Sequence, residues 1–100
     1  MAYEAGALET TLQAAANGDP ELLAELRTAY TEGVARQVDL LSRSRCDGNW
    51  TVAAMRLQGL AASFHSASLL ALAEDALATA PGDPAVLRKL RAYLANFTDT

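Results

Sequence analysis

Apolar residues recur at three- and four-residue intervals through most of the chain, and short breaks containing Gly, Pro, Asn or Asp separate the runs. That spacing marks amphipathic helices. Leu8, Leu12 and Ala15 predict a first, alanine-rich helix over about residues 3–17, stopped at Asn17-Gly18. Its apolar stripe is thin, so it is expected to lie as a cap on the rest. Asp19-Pro20 restarts the chain. Asp19 can accept from free backbone N–H groups, and Pro20 needs no N–H at the first helical position. Leu23, Leu26, Tyr30, Val34, Val38 and Leu41 then predict a long helix to about Ser44. Gly33 inside it weakens the helix by about 1 kcal/mol relative to Ala and gives a neighbour room to come close.

Cys46-Asp47-Gly48 reads as a turn, with Asn49 capping a third helix from Trp50 to about Phe64. Ala53, Leu57, Leu60 (or Ala61) and Phe64 form its apolar stripe. Thr51, Met55, Gln58, Gly59 and Ala62 fall on the other side. That second face is small and uncharged, with a Gly at its centre. A free helix face is usually richer in charge, so this one is expected to receive a partner. His65-Ser66 breaks the run, and Ser66 can cap a fourth helix with Leu69, Leu70, Ala73, Ala76, Leu77 and Ala80 as its stripe. Pro81-Gly82-Asp83-Pro84 stops and restarts the chain. The last helix, Pro84 to about Asn96, turns Val86, Leu87, Leu90, Tyr93, Leu94 and Phe97 inward and Arg88, Lys89 and Arg91 outward. No segment reads as a strand. Five helices with short connections predict an all-α fold with antiparallel neighbours. The expected arrangement is an up-down four-helix bundle with an additional N-terminal helix. The 100 residues suit a single domain, with the bundle over about 19–97.

Composition narrows the function classes. Hydrophobic residues are 51% of the chain and aromatic ones 6%, so the core is expected to be built from Leu, Ala and Val. The net charge is −4 and no basic block occurs, which argues against a nucleic-acid partner. A lone cysteine, Cys46, cannot form an internal disulfide and reads as a bystander in a reducing, cytoplasmic setting. The start has no basic region followed by an apolar run, so no secretory leader is expected. The longest uncharged run, Leu57 to Ala73, is interrupted by Gln58, Gly59, His65 and serines. It falls short of the ~20 apolar residues that span a bilayer, so no membrane partner is expected. One His and one Cys make no metal set, and no Gly-rich loop follows a strand, so neither metal nor cofactor is expected. Glu74 and Asp75 are adjacent on a helix, point apart, and read as a solvated edge rather than an acid–base pair.

The stretch Met55-Arg56-Leu57-Gln58-Gly59, followed by Ala61-Ala62-Ser63-Phe64, resembles the signature of histidine-containing phosphotransfer (HPt) domains. That pattern reads His-x-Leu-Lys-Gly, then small residues, Ser, a large apolar residue and Gly. Leu57, Gly59, Ser63 and Phe64 fit it. Met55 stands at the acceptor His, Gln58 at the Lys and His65 at the closing Gly. The resemblance runs over about residues 19–96 and is specific at 57–64. It implies a helical bundle of two-component phosphorelays, with a response-regulator receiver domain or a histidine kinase as partner. In that family the acceptor imidazole attacks the acyl phosphate of a receiver aspartate. The Gly one turn later leaves room for the ring and the incoming receiver, and the Lys offers charge to the phosphoryl oxygens.

Met55 has no ring nitrogen, and its thioether is only a weak acceptor. Gln58 can donate a hydrogen bond but carries no charge. The resemblance therefore implies a pseudo-phosphotransfer domain with no catalytic residue, binding its partner through Thr51, Met55, Arg56, Gln58, Gly59 and Ala62. Other readings stay open: Met55 as a surface methionine without a role, His65 as a substitute acceptor, or a structural module that self-associates. His65 lies ten residues beyond Met55, a rise of roughly 15 Å and a rotation of about 280° on a helix. A receiver docked at Gly59 would need a different pose to reach it. At a helix end, His65 suits a left-handed backbone. Ser63 has no base to activate it, and its hydroxyl is expected to bond a carbonyl one turn back.

Overall fold

Nearly every break in the apolar pattern becomes a helix boundary. The computed structural model describes residues 2–98, with side chains from 7 to 97. Among these residues there are five helices and no strand: α1 (Ala2–Ala16), α2 (Pro20–Arg43), α3 (Asp47–Phe64), α4 (Ala67–Leu77) and α5 (Pro84–Thr98). Asp19 caps α2 by accepting the backbone N–H groups of Glu21 at 3.0 Å and Leu22 at 3.4 Å. Ser66 Oγ accepts from Leu69 N–H at the start of α4, and Asp83 Oδ2 from Val86 N–H at the start of α5. Each such cap is worth about 1 kcal/mol.

The α3–α4 junction closes on His65, whose backbone is left-handed at φ 58° and ψ 43°. Ser66 N–H reaches back to the Ala61 carbonyl at 2.9 Å and His65 N–H to the Ala62 carbonyl at 3.4 Å. These two bonds satisfy carbonyls that the helix end would leave open. A residue with a Cβ is strained there. His65→Gly is therefore expected to raise stability by about 0.5–1 kcal/mol, read as a higher midpoint in urea unfolding.

α2 packs against α1, α3 and α5; α4 packs against α3 and α5; and α1 also touches α3. The core runs through all five helices. Leu12, Leu41, Leu57, Leu69, Leu90, Val34, Tyr30 and Trp50 are fully enclosed. Each buried aliphatic chain contributes about 1.5–3 kcal/mol. Trp50 Nε1–H donates to the Ala76 carbonyl at 2.7 Å, fastening the start of α3 to the end of α4. At the other end of α3, the Tyr30 ring meets Phe64 and Phe97 edge-on at 4.9 and 5.3 Å between centroids. Tyr30 Oη lies 2.7 Å from Tyr93 Oη, which lies 3.1 Å from Ser66 Oγ. That chain of hydroxyls ties α2, α5 and the cap of α4 together without stranding a polar group. Arg27 pairs with Glu9 and lies over the Phe97 ring at 5.6 Å, so one guanidinium joins α1, α2 and α5.

Several expectations are corrected. α3 begins at Asp47, with Cys46 before it making no side-chain cap, so Asp47-Gly48 is the first turn and Asn49 is not the cap. Trp50 N–H bonds the Cys46 carbonyl at 3.1 Å, and burial of the indole draws this turn into the helix. Ala16, not Ala15, completes the α1 stripe. α4 ends at Leu77, leaving Leu77 and Ala80 exposed instead of buried. Aromatic rings, not only Leu, Ala and Val, fill the core. Gly33 faces Leu60, but a Cβ there would sit 3.7 Å from its nearest atom, in ordinary contact, so no close approach depends on it.

Candidate docking face on the third helix

α3 buries Trp50, Ala53, Ala54, Leu57 and Ala61. With 3.6 residues per turn, that stripe turns Thr51, Met55, Gly59 and Ala62 to the opposite side. All four are exposed. Met55 is 55% exposed, and a Cβ on Gly59 would meet nothing within 4 Å beyond its chain neighbours and the adjacent helix backbone. Arg56 is exposed at the edge of this face, and Gln58 is half-buried beside it. The six residues expected to act together thus share one side of α3 or its border.

Two members of the face escape the sequence reading. Val52 is 46% exposed, one turn before Met55. Ser63 is exposed one turn after Gly59, and its hydroxyl makes no hydrogen bond within the described residues, where a bond to a carbonyl one turn back was expected. Both positions follow from the helical period. Val52 is missed because the apolar spacing of the helix assigns it to neither side. From Thr51 to Ser63 the helix carries no carboxylate, and Arg56 is its single charge. An exposed Val–Met pair beside an open glycine offers apolar contact and close backbone approach, with one guanidinium to orient an acidic group.

The described side chains of this face include no activated nucleophile. The Met55 thioether is a poor nucleophile toward phosphorus, and Ser63 has no base next to it in sequence or on its face. His65 is exposed, but it sits in the cap at the C-terminal end of α3, beyond the Met55–Gly59 turn. Cys46 is exposed at the other end of the helix. Glu74 and Asp75 are both exposed; Asp75 Oδ2 lies 3.9 Å from Lys89 Nζ, as expected of a solvated edge. No group of three or more His, Cys, Asp or Glu side chains is placed to hold a metal ion among the described residues. No helix among them is long and apolar enough to cross a membrane.

The chain matches no protein-family model, no curated protein and no solved structure.

Proposed function

We propose that this protein is an HPt-like, phosphate-free binding domain of a two-component phosphorelay, acting in the cytoplasm. It occupies the aspartate-bearing surface of a receiver domain, or the related surface of a histidine kinase, through Thr51, Met55, Arg56, Gln58, Gly59 and Ala62. The observation that carries the proposal is the exposed, carboxylate-free Met55–Gly59 face on α3. The packing of α2 on α3, α3 on α4, α4 on α5 and α5 on α2 supports the up-down four-helix bundle that this reading requires, with α1 as the additional helix. Met55 in the acceptor position leaves docking without transfer: the partner is held, and its phosphoryl group stays on the partner.

Titration of the protein against the receiver domains of its own cell tests this. Binding at tens of micromolar or tighter is expected for at least one receiver. Met55→Lys buries an unpaired charge in the contact and is expected to weaken that binding about tenfold or more. Met55 is exposed, so the thermal melt of the variant should match that of the parent. Receivers that all fail to bind, phosphorylated or not, would refute the proposal. Acid-labile phosphate that appears on incubation with a phosphorylated receiver and is lost in His65→Ala would assign transfer to His65 and overturn the phosphate-free reading.

A further inference from the structure

We infer that a second surface, away from the Met55–Gly59 face, joins two copies of this chain: the acidic first half of α2 in one copy lies on the basic outer face of α5 in the other. α5 carries Arg88, Lys89 and Arg91 and no carboxylate, in a chain of net charge −4. Lys89 is used within the molecule, 3.9 Å from Asp75 of α4. Arg88 and Arg91 are exposed and pair with no carboxylate among the described residues. Three residues apart, they share one face of the helix. Ala92 and Ala95, also exposed, extend that face without bulk.

The matching surface is on α2. Glu21, Glu25 and Glu32 are exposed and form no ion pair among the described residues. Ala24, Thr28 and Ala29 lie between them and, with Glu25 and Glu32, line a shallow open depression of about 310 Å³. Small side chains flanked by carboxylates on α2 thus meet small side chains flanked by guanidinium groups on α5. Arg–carboxylate pairs can form two parallel hydrogen bonds, which sets the register of the two helices. Because α2 and α5 pack side by side within each molecule, a two-fold axis seats each α2 on the partner's α5 and makes the contact twice. Exposed ion pairs are weak and screened by salt, so the dimer forms at low ionic strength and dissociates as salt rises.

Sedimentation equilibrium from micromolar to millimolar protein tests this. At 20 mM salt the mass should rise toward the dimer, and 500 mM salt should raise the dissociation constant about tenfold or more. Arg88→Glu with Arg91→Glu, and separately Glu25→Arg with Glu32→Arg, should each remain monomeric. An equimolar mixture of the two charge-reversed proteins should dimerise again, because each mixed contact restores opposite charges. That rescue also shows that both variants are folded. A parent that is monomeric throughout at low salt, or a mixture that stays monomeric, overturns the inference. So does a dimer that survives both reversals, or one that Met55→Lys dissolves, since the contact would then run through α3. Receiver binding fails or succeeds independently of these outcomes.

Discussion

Trp50→Ala is expected to lower the melting temperature by roughly 15–30 °C, the largest single-residue loss in this chain. Trp50 is enclosed where α3 begins, and its indole N–H holds the Ala76 carbonyl of α4 at 2.7 Å. Removing the ring opens a cavity where the start of α3 meets the end of α4, in helices whose buried residues include the short side chains of Ala53, Ala54, Ala73 and Ala76. Alanines cannot move in to fill such a space, so the full cost of about 3–5 kcal/mol is expected. Trp50→Phe separates the two contributions. It keeps most of the ring and loses the donor, while the Ala76 carbonyl still accepts from Thr79 Oγ1 at 3.1 Å. A loss of about 1–2 kcal/mol is expected for it. Thermal unfolding followed by circular dichroism checks both. A shift of only a few degrees in Trp50→Ala would mean that the α3–α4 contact is not what the fold rests on.

The second large effect concerns α1. Leu12→Ala is expected to cost about 2–5 kcal/mol, and to act locally first. Leu12 is 0% exposed, and among the described side chains of this helix only Leu8 and Ala16 accompany it in the core. The remaining described tie is the Glu9–Arg27 ion pair, whose side chains are 35% exposed and therefore partly screened. Hydrogen exchange should show the α1 amides losing protection while those of α2–α5 keep it, because regions with few buried contacts open at lower free energy than the whole. If all five helices lose protection together, α1 is part of one cooperative unit with the others.

The part of the fold that rests on periodicity and capping was legible in the residues. α2 is bounded by Asp19-Pro20 and Ser44 as its apolar spacing requires, and Ser66 and Asp83 cap the helices they precede. The errors sit where tertiary packing overrides local preference. Asp47-Gly48-Asn49 has the composition of a turn, yet burial of Trp50 winds it into α3. Leu77-Ala78-Thr79-Ala80 continues a helical pattern, yet the chain leaves the helix at Ala78, ahead of Pro81, which disfavours helix in the residue before it. Nor does sequence spacing say that Tyr30, Phe64, Tyr93 and Phe97 meet, since they come from three different helices. The candidate face was legible in outline, because a helix that buries Ala53, Leu57 and Ala61 must turn Met55 and Gly59 outward. What lands on it is a property of another molecule's surface. A pattern of side chains fixes the shape and charge offered to a partner, and several partners can share both.

Trp50 has one more use. It is the only indole in the chain, and it is shut away from water on the far side of α3 from Met55. Its emission therefore serves as a label-free gauge of the seam between α3 and α4. A partner settling on the outer face should leave that light unchanged, whereas prying the two helices apart should shift it to the red.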